Sequence, residues 1–183
     1  MLTRKQVSEN IGNDMVKSWD FIMGVLHADS SMCDGVGSYN WAFDSRAINN
    51  TNRKLNHEGI IESFGLTPFC IQDMYVRKVI NQNYFTFIDS LDEWEKSNYL
   101  SKSGKNLGYS AEVMARYVNK HTDYVESHTA LDDSKVEFEL TRIFCNRYFD
   151  DFKREFLGNP KGVSWKAVKD RLSSAEKMRQ REA

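Results

Sequence analysis

The spacing of apolar residues is helical through most of the chain. Near the N-terminus the apolar positions recur every three or four residues, which predicts a helix over residues 3–28. Thr3 and Gln6 form a capping box at its start. Gly12 interrupts the helix at a cost of about 1 kcal/mol relative to alanine, so it indicates a turn as the alternative. The positions of this stripe are Val7, Ile11, Met15, Trp19, Ile22, Met23 and Leu26.

Two segments in the middle of the chain begin with residues that favour a helix start. Thr67 is a good N-cap and Pro68 fits the first helical position, which predicts a helix to about Asn81. Ser110 caps a further helix, whose apolar positions continue at helical spacing as far as Val125.

The most strongly apolar helix is predicted towards the C-terminus. Ser134 and Glu137 form a capping box for it, and an ungapped apolar face follows. That face consists of Val136, Leu140, Ile143, Phe144, Tyr148, Phe152 and Phe156. A helix over 134–157 that is apolar on more than one side would also allow self-association. A last helix, with basic residues at its end, is predicted from Ser164.

The stretch after the first helix has a weaker pattern. Residues 30–38 are rich in small and turn-forming residues, which predicts a loop. Tyr39, Trp41 and Phe43 then stand at alternate positions, which favours a short half-buried strand, with a helix start as the alternative.

The predicted elements together define a fold class. Residues 83–97 favour continued helix over a short strand followed by a helix, and residues 101–108 predict an exposed linker. We therefore expect a mainly α protein, an irregular bundle of five to seven helices with room for one small β-hairpin. Residues 1–183 are expected to form a single domain, with a subdivision near 101–108 as the alternative.

Composition narrows the class of protein. A hydrophobic content of 40% and an aromatic content of 13% favour a folded globular chain. A net charge of −1 argues against a protein that binds nucleic acid through a uniformly basic surface. Cys33, Cys70 and Cys145 lie far apart, which predicts reduced thiols and a cytoplasmic location. No apolar run reaches the ~20 residues that span a bilayer, so no membrane contact is expected. The low proline and high asparagine content fits a phage or mobile element.

The N-terminal segment has a second interpretation. The letters KQVSENIG resemble the first half of phage and bacterial repressor-type helix-turn-helix motifs, in which a small residue and a turn glycine lie between apolar positions. The second half departs from that pattern at Asn13 and Ser18. If segment 3–23 binds DNA, the candidate contacts are Arg4, Lys5, Gln6 and Lys17.

No motif in the sequence indicates catalysis. There is no phosphate-binding glycine loop, no nucleophile elbow and no HExxH, so no catalytic residue, metal or cofactor is predicted. His121 and His128 are seven residues apart, over 10 Å along one helix, which is too far for two ligands of one ion. An enzyme whose site is assembled from scattered residues stays open as an alternative.

We therefore expect a non-catalytic protein that binds another macromolecule. A regulator or inhibitor of phage or mobile-element type, acting through protein–protein contacts, fits the composition best. DNA binding is the alternative, and a net charge of +4 over residues 161–183 would assist it. The excess of aromatic residues indicates the candidate partner contacts, which are Tyr39, Trp41, Phe43, Trp94 and Tyr99.

Overall fold

The computed structural model describes residues 18–55, 65–101, 104, 107–125 and 129–159. Within these ranges the chain is mainly helical, as the sequence predicts. It forms seven α-helices, two π-helical segments and one small parallel sheet. In chain order these are α1 Trp19–Ser30, β1 Gly35–Ser38, α2 Trp41–Lys54, β2 Thr67–Cys70, α3 Ile71–Met74, π1 Tyr75–Val79, α4 Gln82–Ser90, α5 Glu93–Ser97, α6 Ala111–Asn119, α7 Ala130–Asp151 and π2 Phe152–Phe156.

The first described helix begins at Trp19. Ser18 is its N-cap, with extended backbone (φ −64°, ψ 155°) and a hydroxyl that accepts from the Phe21 N–H at 3.2 Å. A helix over 3–28 would have to continue through Ser18, so that prediction is wrong at this residue. The serine instead satisfies a backbone donor of a new helix.

The sheet replaces a predicted loop and a predicted helix start. β1 and β2 are parallel, with Gly35 opposite Thr67 and Ser38 opposite Cys70, so the two strands do not form a hairpin. Thr67 and Pro68 lie in β2 rather than at a helix N-terminus. The Pro68 carbonyl accepts from a distant main-chain N–H. Tertiary pairing therefore overrides the local helix signal.

Gly37 makes this pairing possible. A Cβ at this position would lie 2.2 Å from the Phe69 ring, so a larger residue would displace that ring. Helix α2 follows at once and begins at Trp41. The strand predicted through Tyr39, Trp41 and Phe43 is therefore wrong, and the alternative of a helix start is confirmed.

The central region consists of two helices rather than one. α4 and α5 are separated at Leu91, whose backbone is extended, and a capping box of Asp92 with Glu95 starts α5. The predicted linker carries an antiparallel bridge between Leu100 and Leu107.

Helices α6 and α7 pack against each other. Ser110 caps α6 as predicted, and its hydroxyl accepts from the Val113 N–H. The helix ends at Asn119, earlier than its sequence pattern indicates, because Lys120 adopts the left-handed conformation (φ 53°, ψ 40°). α7 begins at Ala130 with Thr129 as its cap, so the capping box predicted at Ser134 is wrong.

The apolar face predicted for α7 faces the core. Leu140, Phe144 and Phe156 are buried, and Phe144 contacts the rings of neighbouring aromatic residues. The helix kinks at Tyr148 (φ −134°, ψ 41°) before π2. The final helix predicted from Ser164 lies outside the described residues.

Buried tyrosines connect distant segments across this core. Each of three hydroxyls donates to a main-chain carbonyl: Tyr39 to Tyr109 at 2.6 Å, Tyr75 to Leu140 at 2.9 Å and Tyr84 to Gly108 at 3.2 Å. A buried hydroxyl without a partner is costly, so these bonds help determine which segments meet.

Tyr75→Phe is expected to lower the free energy of unfolding by about 1 kcal/mol, because it removes the buried hydrogen bond to Leu140. Tyr99→Phe is the matched control, since the Tyr99 hydroxyl is buried without a hydrogen-bond partner. Its removal is expected to leave stability unchanged or to raise it by about 1 kcal/mol. Urea unfolding followed by circular dichroism measures both. Equal losses in the two variants would contradict this assignment.

The protein is also expected to unfold in alkali. Burial raises the pKa of Tyr99 to about 12 and raises the pKa values of Tyr39, Tyr75 and Tyr84 further. An unfolded tyrosine ionises near pH 10, so the unfolded state loses its protons first. The free energy of unfolding therefore falls as the pH rises above about 10. Tyrosinate absorbance should appear together with the loss of helical circular dichroism; tyrosinate formation in a folded chain would contradict this.

Candidate protein-binding surface

Three of the five aromatic residues predicted to contact a partner are buried. Tyr39 and Tyr99 belong to the main core, and Trp41 packs against Cys70 in a second, smaller cluster. Burial also raises the pKa of the Tyr39 phenol. These rings fill space between elements and present no accessible face, so the expectation of exposed rings is not met at these positions.

Phe43 and Trp94 are exposed, as the sequence analysis expects. Phe43 lies on α2 with 57% of its surface accessible, and Trp94 lies on α5 with 66% accessible. Trp94 stands between Glu93 and Glu95 in a short, acidic helix.

The residues of the DNA-binding alternative, Arg4, Lys5, Gln6 and Lys17, lie outside the described residues. Ser18 nevertheless bears on that alternative, because the predicted recognition helix would include it as a helical residue. Its backbone is extended instead, and a new helix begins at Trp19. The Trp19 indole N–H donates to Asn52 of α2, which attaches this helix to its neighbour.

The described residues contain no group of three or more His, Cys, Asp or Glu that could hold a metal ion. His121 is exposed beyond the end of α6 and contacts Asp123 at 3.3 Å, so it is not on the predicted helical face. His128 lies outside the described residues. Among the helices described, none is both long enough and apolar enough to cross a membrane.

The outer face of α7 carries two large apolar side chains. Leu131 and Phe138 are seven residues apart, which places them on one face two turns from each other. Their side chains are 66% and 70% exposed, although Leu140 and Phe144 of the same helix are buried. We call Leu131, Phe138 and the two ion pairs beside them the α7 ridge.

The ion pairs follow one edge of the ridge. The Lys135 ammonium lies 3.0 Å from an Asp132 carboxylate oxygen. The Arg142 guanidinium donates two bonds to Glu139, at 2.6 and 2.8 Å. These bonds lower the pKa of the Glu139 carboxyl and raise that of Arg142, so the pair stays ionised across the physiological range. The ridge is thus apolar at its centre and has charge of alternating sign beside it.

The sequence analysis identified the inner face of α7 and missed Phe138. Its signal was present, because Leu131 and Phe138 repeat at a heptad interval on the side opposite Leu140. Most apolar positions of α7 belong to its inner face. Two further apolar residues on the opposite side are therefore easily assigned to that inner face.

The comparisons with known proteins identify no relative of this chain. No family model, curated protein or solved structure matches it.

Proposed function

We propose that this chain is a non-catalytic protein-binding protein whose contact surface is the α7 ridge. The observation that carries the proposal is the exposure of Leu131 and Phe138 on one face of a 22-residue helix. Large apolar side chains that lie together on an exposed face are typical of protein interfaces. A regulator of phage or mobile-element type, acting in the cytosol, is the role that the composition favours.

The charge pattern favours a second copy of the chain as the occupant. Asp132, Lys135, Glu139 and Arg142 carry charges in the order minus, plus, minus, plus. Two copies of α7 that pack antiparallel about residue 137 bring Asp132 opposite the partner's Arg142 and Lys135 opposite the partner's Glu139. An isologous twofold contact repeats each pair, so the arrangement contains four attractive contacts.

The same antiparallel arrangement brings the Phe138 side chains of the two copies together. Phe138 lies one residue from the centre, so the two Phe138 rings meet beside the twofold axis. A parallel twofold pair would instead turn the charged edge of each helix towards the other edge of its partner, so these four contacts would not form. The pattern therefore selects the antiparallel pair.

Phe138→Ser is expected to weaken self-association about tenfold or more, because it removes the central apolar contact. It should change the free energy of unfolding by less than about 0.5 kcal/mol, since the ring is exposed in one copy. Trp94→Ser is the matched control, an exposed ring away from the ridge. Sedimentation equilibrium from micromolar to millimolar concentration measures the effect. A monomeric wild type, or equal effects of the two variants, would overturn the second-copy proposal.

Reversing all four charges tests the antiparallel pairing separately. The variant combines Asp132→Lys, Lys135→Glu, Glu139→Lys and Arg142→Glu. It keeps every opposite-sign pair, both within one helix and between two antiparallel copies. It should form dimers with itself but not with the wild type, because mixed antiparallel dimers oppose like charges. Native mass spectrometry of the two mixed chains gives the populations. A statistical mixture of self-paired and mixed dimers, or a preference for mixed dimers, would contradict the proposal.

A further inference from the structure

A second surface of α7, away from the ridge, adjoins a groove of about 320 Å³. The groove lies between α6 and α7 over the end of π1, and half of its lining residues are aromatic. Its volume is in the range of small-molecule sites. The residues that matter for its chemistry are Phe87, Tyr117, Lys120, Phe144, Arg147 and Tyr148.

The aromatic walls are held in place by ring contacts. The Phe87 and Tyr117 rings lie 5.2 Å apart at 60°, and the Phe144 and Tyr148 rings lie 5.1 Å apart at 45°. The first pair joins α4 to α6 and the second lies within α7, and both provide flat apolar surfaces for a planar ligand.

Two cations line the same groove. Lys120 extends from the end of α6, and Arg147 lies on α7 with its guanidinium carbon 5.3 Å from the centre of the Tyr148 ring. Within the ranges that the structure describes, neither side chain is paired with a carboxylate. Arg147 also acts on the opposite wall, where its charge partly offsets the rise in the pKa of Tyr117 that burial causes. The groove thus combines an apolar interior with two positively charged side chains.

The backbone beside the groove is irregular at Lys120 and at Tyr148, the neighbour of Arg147. Lys120 has φ 53°, a left-handed conformation that residues with a Cβ adopt at a cost and that glycine usually occupies at a helix end. Tyr148, next to Arg147, interrupts the helical backbone of α7. Such positions concentrate at ligand sites, where the side chain is retained despite the local strain. The left-handed conformation of Lys120 ends α6 and leaves this lysine at the edge of the groove.

We infer that this groove binds a small aromatic anion. The planar body of the ligand lies among the Phe87, Tyr117 and Tyr148 rings, and its carboxylate or phosphate is held by Lys120 and Arg147. Charge complementarity selects this class of ligand over a neutral one. The inference is independent of the α7 ridge, because it uses different side chains on a different face of the helix.

Three matched probes test the inference on the full chain: 1-naphthyl phosphate, 1-naphthoate and the neutral 1-naphthalenemethanol. Titration followed by amide NMR should give dissociation constants for at least one anion about tenfold lower than for the neutral alcohol. The preferred anion then identifies the headgroup as a phosphate or a carboxylate. Equal affinity for all three probes, or no binding of any probe at millimolar concentration, would overturn the inference.

Lys120→Gly separates binding from folding. Glycine relieves the left-handed backbone, so the variant should melt at a higher temperature than the wild type. It should nevertheless bind the anion about tenfold more weakly and the neutral alcohol equally well. Arg147→Gln should weaken anion binding similarly, and Arg46→Gln, an exposed cation on α2, is the control that should not. Wild-type affinity for the anion in both Lys120→Gly and Arg147→Gln would contradict the site.

Discussion

Hydrogen bonds from buried tyrosine hydroxyls to main-chain carbonyls organise this fold. The core includes the rings of Tyr39, Tyr75 and Tyr84, and each of these brings its polar end to a main-chain carbonyl. Tyr75 illustrates the consequence, because its hydroxyl reaches the Leu140 carbonyl and so positions α7 against π1. The two π segments are joined nearby, where Arg77 and Lys78 contact Glu155 at 3.0 and 3.1 Å. The position of α7 therefore depends on directional bonds as well as on apolar packing.

This anchoring of α7 allows the helix to present three different surfaces. Its inner face contributes Leu140 and Phe144 to the core, its outer face presents Leu131 and Phe138, and a third side adjoins the aromatic groove. One helix can serve both proposed contacts because the core fixes its rotation about its own axis. A ligand in the groove would contact Arg147 and Tyr148 at the kink of α7. The groove and the α7 ridge therefore share one helix.

The sequence predicted the parts of the fold in which local preference and tertiary packing agree. Ser110 caps a helix as its position suggests, and the inner face of α7 was recognisable because its apolar positions recur without a gap. The prediction failed at Thr67 and Pro68, where pairing with β1 supplies hydrogen bonds that no local pattern encodes. The groove was invisible for the same reason, since Phe87, Tyr117 and Arg147 meet only in the folded chain.

The most direct test of the account is the geometry of the pair formed by two α7 helices. A spin label on Asn146→Cys, with Cys33 and Cys145 changed to Ser, reports one distance between two copies. Packing antiparallel about residue 137 separates the two labels by 18 residues, or about 27 Å along the helix axis. Pulsed electron paramagnetic resonance should therefore give a distance near 30 Å, allowing for the ~10 Å between the helix axes. A distance below about 15 Å, as parallel packing requires, or no dipolar signal at millimolar concentration, would contradict the account.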